Sequence, residues 1–229
     1  MQRTWMVLGA LAMFGALAKP VVATQLVVNG SFEQTSLTSK GKFLGVVTGW
    51  TGGPSLTYVA FPGTAATGPF PAYPGLASTS PDGGNFIEQD GDPSYNGAFS
   101  QVITGLTPGA NYDLTFYQAA GQQNNFKGAT TERWKVTFGA QTLLSRMFSL
   151  DQGGTGAWEA VSMQFLASAV SQTLSFLAVG TPAGAPPISF LDGVSMTAVP
   201  EPASIAVLAV GVAGLAGLRR RRALPAQAT

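Results

Sequence analysis

Thr104-Gly105-Leu106-Thr107-Pro108-Gly109-Ala110-Asn111-Tyr112-Asp113-Leu114-Thr115-Phe116 reads as a tight reversal running straight into a β-strand. Pro108 supplies a fixed φ, and the glycines supply the positive φ that such a reversal needs. From Tyr112 to Ala119 the period becomes two, with Tyr112, Leu114 and Phe116 on one side. The pattern recurs in both directions along the chain. Trp134, Val136 and Phe138 share a face; in Trp158 to Leu166, Trp158, Ala160, Ser162 and Gln164 oppose Glu159, Val161, Met163 and Phe165. Upstream, Phe86 and Glu88 oppose Asn85, Ile87 and Gln89. Further short apolar runs fall at Leu26–Val28 (turned by Asn29-Gly30), Leu44–Trp50, Leu56–Phe61, Ala98–Ile103, Thr173–Val179 and Ile188–Met196. No helical period appears between the two ends of the chain. About nine or ten strands split by Gly, Pro, Asn and Asp predict an all-β fold, an antiparallel two-sheet jelly-roll sandwich. The irregular stretch Phe61 to Gly84, rich in Pro and Gly, reads as a binding loop or a disordered insertion, with Phe70 and Tyr73 as its aromatics.

The ends read differently. Residues 1–23 have the form of a signal peptide: Arg3, an apolar core from Trp5 to Ala18, and Val21-Val22-Ala23 as cleavage site. At the other end, Val199-Pro200-Glu201-Pro202 precedes an apolar run from Ala203 to Leu218 and the cluster Arg219, Arg220, Arg221, Arg222. Two prolines around a glutamate cannot join a helix or a ladder, so that backbone stays extended. The run of 16 residues is about 24 Å long as a helix, short of a full crossing unless the arginines reach to the headgroups. Clustered arginine also fixes the cytoplasmic side. The expected organisation is a signal peptide over 1–23, a domain over 24–198, a sorting segment with a transmembrane helix over 199–222, and a cytoplasmic tail over 223–229.

Without its ends the chain is acidic. Six bases against ten acids between residues 24 and 199 leave −4, where the whole chain carries +1. That balance argues against nucleic acid. The absence of Cys and His removes disulfides, Ser-His-Asp and Cys-His catalysis, and zinc sites of the Cys/His kind.

The tail resembles the PEP-CTERM sorting signal of Gram-negative, exopolysaccharide-producing bacteria. The resemblance implies that an exosortase recognises Pro200, Glu201 and Pro202, removes the tail and passes the protein to the cell surface or extracellular matrix. Export would run through the Sec translocon and signal peptidase, with a transient inner-membrane anchor over 203–218. A second resemblance covers the domain. Val28-Asn29-Gly30-Ser31-Phe32-Glu33, the segments Phe99–Ile103 and Pro108–Phe116, and Phe190-Leu191-Asp192-Gly193-Val194-Ser195 are similar to motifs of galactose-binding-like sandwiches, among them the DUF642 type and carbohydrate-binding modules. It implies that Glu33 and Asp192, far apart in sequence, hold a structural calcium ion together with backbone carbonyls.

Other candidates come from residue types. Sugars stack on aromatic rings beside polar groups, which singles out Tyr117, Trp134, Asn124 and Asn125. Trp50, Tyr58, Tyr73 and Tyr95 are further aromatics of this kind. Glu88-Gln89-Asp90-Gly91-Asp92-Pro93-Ser94 is the densest acidic cluster. It lacks the glycine and the glutamate of an EF-hand and reads best as a solvated turn. The expected function is a non-catalytic carbohydrate-binding or structural module of exopolysaccharide or biofilm. The alternatives are a polysaccharide hydrolase using Glu88 and Asp90, and a self-assembling adhesive surface protein.

Overall fold

The computed structural model describes residues 24–53, 56–95 and 97–200. In chain order its strands are β1 (Gly41–Lys42), β2 (Thr51–Gly52), β3 (Thr57–Ala60), β4 (Phe86–Asp90), β5 (Phe99–Thr104), β6 (Asn111–Gln122), β7 (Thr130–Phe138), β8 (Gln141–Leu144), β9 (Phe148–Leu150), β10 (Gly156–Leu166), β11 (Ser171–Thr181) and β12 (Pro187–Ala198). A single 3-10 turn, Pro93–Tyr95, is the one helical element among the described residues. The strands form two sheets. Sheet I has the order β1-β3-β4-β12-β6-β10; sheet II has β2-β5-β11-β7-β8, with β9 also on β7. All strand pairs are antiparallel. The expected all-β sandwich is what the chain forms.

The opening motif works as its residues suggest. Gly105 and Gly109 have φ of 77° and 85°. The Tyr112 hydroxyl accepts a hydrogen bond from the Thr107 amide at 2.9 Å, pinning the reversal to the strand it launches. Tyr112, Leu114 and Phe116 then face inward, against Trp134, Val136 and Phe138 of β7 and Phe176 of β11. Phe176 stacks on Phe99 at 5.8 Å and takes Phe116 edge-on at 5.4 Å. Each such ring removed from water stabilises the fold by about 1.5–3 kcal/mol.

Side-chain amides join what the ladders do not. Leu26–Val28, expected as a strand, instead runs beside β12 with a single backbone bond, Leu26 N to Met196 O. Gln25 Oε1 accepts from the amides of Val27 and Met196. Gln101 accepts from Val28 N and donates to Val28 O and Gly49 O. Inside the sandwich, Gln89 of β4 accepts from Ala178 N of β11 at 2.6 Å and donates to Thr57 Oγ1 at 2.7 Å, linking the two sheets. Leu44–Trp50 likewise forms turns and one isolated bridge, Thr35 to Val47, rather than a strand. The strands β8 and β9 went unread in the sequence because they are short and lack alternation.

The stretch 61–84 is ordered. It lies on the outer face of sheet I and builds a second core there, with Ala65, Phe70 and Ala72 against Tyr58, Ala60, Phe86, Ala119, Ile188 and Phe190. Phe70 stacks on Tyr58 at 5.4 Å. Lys40 anchors this cover. Its ammonium donates to the carbonyls of Thr64, Ala65 and Phe70 at 3.1–3.2 Å and pairs with Glu88 Oε1 at 2.5 Å. Among the described residues, the outward positions of β5, β7 and β11 on the outer face of sheet II stay exposed or half-exposed.

Candidate functional site

The residues expected to act fall in four places. Trp134 is in the core with 0% exposure, which corrects its assignment to a ligand surface. Even-numbered residues of β7 point inward, and the indole Nε1 donates to Phe190 O at 2.9 Å. A buried indole needs that one acceptor and no other.

Glu88 and Asp90 are not in a solvated turn. They lie on β4 with 0% and 1% exposure. Burial beneath the 61–84 cover pushes the Glu88 carboxyl up to about 8, an effect that the Lys40 ammonium partly offsets. Burial also pushes Asp90 up to about 6, although its Oδ1 accepts from Asp92 N. A sugar has no path to Glu88, so the two carboxyls cannot flank a glycosidic bond. Asn124 and Asn125 form a turn behind β6 in which Asn124 Oδ1 caps Asn125 N at 2.8 Å. Asn124 N also donates to Pro71 O, so the turn helps to hold the cover. Five or more strand residues, roughly 17 Å, separate it from Tyr117, and the structure does not bring them together.

Glu33 and Asp192 do converge. Both meet the segment 80–85: Ser80 Oγ donates to Asp192 Oδ2, and Asn85 N donates to Glu33 Oε1 at 2.5 Å. Asp192 is fully buried, and its Oδ1 accepts from Gly193 N at 2.7 Å. Burial pushes its carboxyl up to about 8, and the negative charges of Asp82 and Glu33 push the same way. Among the described residues no three acidic side chains stand close enough to hold a metal by themselves. The cluster therefore fits a hard cation only if backbone carbonyls complete the shell.

Tyr117 is on the outer face of sheet I, half-buried, opposite Asp192 on one side and Ala160 on the other. It lines a cleft of about 440 Å³ with Asp82, Thr115, Ser162 and Gly193. Beside it, further along β10, a second cleft of about 550 Å³ is lined by Leu76, Ser80, Pro81, Thr155 and Trp158. The two clefts follow each other along β10, one against residues 75–81 and the other against Asp82, Tyr117 and Gly193. Trp158 packs edge-on against Phe86 at 5.6 Å, and its Nε1 has no hydrogen-bond partner among the described residues. Trp158 and Asp82 were missed as site residues. The available signal for Trp158 was its place in the outward register of Ala160, Ser162 and Gln164.

Of the sorting motif, Pro200 is described, and it is the last of the described residues. The last ladder bond is Val199 N to Asn111 O at 2.9 Å, and Pro200 has no amide to continue it. Glu201, Pro202, the expected helix over 203–218, Arg219–Arg222 and the signal peptide over 1–23 lie outside the described residues. No helix among the described residues is long and apolar enough to cross a membrane.

Residues 198–222 match the PEP-CTERM protein-sorting motif. The chain therefore carries the signal of an exported protein that is processed at its C-terminal end. No curated protein matches the sequence. Solved structures to which the chain is similar include TmCBM61 in complex with beta-1,4-galactotriose, at 14% identity, TM-score 0.44, and 77% of this chain against 99% of that one. The CBM22-1 xylan-binding domain of Paenibacillus barcinonensis Xyn10C is similar at 10% identity, TM-score 0.43, and 79% against 97%. The K1 cleaved adhesin domain of Lys-gingipain from Porphyromonas gingivalis W83 is similar at 12% identity, TM-score 0.44, and 70% against 98%. At such values no ligand carries over to this chain.

Proposed function

We propose that this is a non-catalytic glycan-binding module of the cell surface or extracellular matrix, delivered there after an exosortase removes its PEP-CTERM tail. The observation that carries the reading is the groove beside β10, where the Tyr117 ring and the Asp82 carboxylate line one cleft and the Trp158 indole lines the next along the strand. A sugar's C–H face rests on such rings while carboxylate and hydroxyl groups take its hydroxyls. The sealed state of Glu88 and Asp90 supports binding rather than cleavage. Calcium at Glu33 and Asp192, completed by backbone carbonyls, would offset the burial, and the lesser effect of the Asp82 and Glu33 charges, that raise the Asp192 carboxyl. In that place it would clip the first segment of the domain to the last strand.

The test is retention of the full-length protein, in nonionic detergent, on immobilised neutral glycans. Tyr117→Ala is expected to weaken binding about tenfold with an unchanged melting curve, the loss of one stacked ring. Equal binding by wild type and variant refutes the groove. For the calcium site, EDTA is expected to lower Tm by several degrees and calcium to restore it; an unchanged curve removes the ion.

A further inference from the structure

The outer face of sheet II carries a second pattern, independent of the groove. Its outward residues on β7 are Thr131, Arg133, Lys135 and Thr137, a sequence of hydroxyl, cation, cation, hydroxyl. The strand register extends each of these sideways. Thr137 stands in a row of hydroxyls that crosses five strands: Thr51, Ser100, Ser175, Thr137 and Thr142. Thr131 stands in another, between Thr181 and Ser149, and shares a hydroxyl–hydroxyl bond of 2.7 Å with Thr181. Between the two rows, Lys135 is flanked by Leu177 and Leu144, and Arg133 by Val179.

Charge makes this face unlike the rest of the domain. Arg133 and Lys135 make no ion pair among the described residues; the two ion pairs present are Lys40–Glu88 and Arg146–Glu159. No acid is in the outward register of β2, β5, β7, β8 or β11. The acid of β7 itself, Glu132, is buried on the inner face, and Asp151 follows the end of β9, where it shares a cleft with Thr131 at the far end of β7 from Lys135. The exposed or half-exposed acids Glu33, Asp82, Asp113 and Glu159 belong elsewhere, in a domain whose net charge is −4 between residues 24 and 199. Two cations without ion pairs among the described residues, on strands that carry no outward acid, attract a polyanion, and the acids elsewhere on the domain keep it from binding at random.

From this we infer that sheet II binds an anionic polysaccharide, a chain of sugars that bear carboxylates, laid along β7. Carboxylates would pair with Arg133 and Lys135, roughly 6.6–7 Å apart as alternate residues on one strand. Sugar hydroxyls would bond to the Thr and Ser rows, and the C–H faces would rest on Leu177 and Val179. Single-stranded nucleic acid fits worse, because it requires aromatic platforms and the outward residues of these strands include none.

The experiment is affinity electrophoresis of the full-length protein in nonionic detergent, in gels containing polygalacturonate or a neutral galactan. Polygalacturonate should retard the wild type, less so as salt is raised. Arg133→Gln combined with Lys135→Gln should weaken that retardation about tenfold, and Thr137→Val should weaken it without any change of charge. Tyr117→Ala should leave it unchanged. The four tail arginines are present in every variant, so equal retardation of wild type and double variant would assign the binding to the tail and overturn the inference. Absence of any polygalacturonate effect overturns it as well. A loss confined to Tyr117→Ala would move the ligand to the groove and overturn it while leaving the proposed function standing.

Discussion

Lys40→Met tests how the cover over sheet I is held. In the structure the Lys40 ammonium, 3% exposed, is surrounded by three loop carbonyls and the fully buried Glu88 carboxylate. Methionine keeps the length and most of the volume of the side chain and deletes only the charged end. The loss has two parts. Three carbonyls lose a charged donor, and Glu88, whose Oε2 already lacks a hydrogen-bond partner, loses its counter-ion. Breaking a buried pair from one side costs about 3–5 kcal/mol. For a domain of this size 1 kcal/mol corresponds to about 2–4 °C, so Tm should fall by roughly 6–20 °C. The damage should also be local: amide exchange at Ala72, whose N bonds to Ala65 O, should accelerate more than exchange in β11. Glu88→Leu in the Lys40→Met background should recover part of the loss, because a pair removed from both sides leaves no uncompensated charge. The measurement is urea unfolding combined with hydrogen exchange. A Lys40→Met protein within 1 kcal/mol of the wild type, with unchanged exchange at Ala72, would refute the staple.

Glu132 should make the domain less stable in mild alkali. It is fully buried on the inner face of β7, neither of its oxygens has a hydrogen-bond partner, and burial pushes its carboxyl from 4.5 up to about 8. A folded-state pKa above the unfolded one means that this contribution is fully present below pH 4.5 and is lost as pH rises through about 8. Glu132→Gln should flatten the stability profile over that window and raise stability at pH 8; a parallel profile would contradict the burial. Gln101→Ala removes three bonds, to Val28 N at 2.7 Å, Val28 O at 2.8 Å and Gly49 O at 2.9 Å. At about 0.5–1.5 kcal/mol each, the variant should lose roughly 1.5–4.5 kcal/mol in denaturant unfolding. A loss below 0.5 kcal/mol would mean that water replaces the amide without cost.

The inward faces of the strands were legible because period-two geometry is local. Tyr112, Leu114 and Phe116 announce their side through their neighbours Asp113 and Thr115. Trp134 sits in the same kind of pattern, between Arg133 and Lys135, so its burial was readable there; treating tryptophan as a sugar platform by residue type overrode the register. Lys40 and Glu88 were beyond sequence reasoning for a different reason. They are 48 positions apart, and the contact that joins them exists only after the 61–84 stretch has folded onto sheet I. Nor do Gln25, Gln89 and Gln101 differ in sequence from polar surface residues, since their role lies in unpaired backbone amides that the fold creates. Glu33 and Asp192 were placed side by side by resemblance alone, and Ser80 and Asn85, the residues that join them, lie in the stretch that read as irregular.

The two outer faces of the sandwich have opposite fates, and chain economy explains which one is left open. Residues 61–84 cover part of sheet I with alanines and Phe70, and clefts remain along β10, where the cover ends. Phe86, Ile188 and Phe190 sit on that outer face, and without the cover their apolar area would stand in water. Sheet II has less need of a cover, because Thr, Ser, Arg and Lys are interleaved with Leu177 and Val179 at its central outward positions and no aromatic side chain stands there. Val199 to Asn111 is the last bond of sheet I, and Pro200 cannot extend the ladder. A cut beyond that proline therefore removes no described ladder bond.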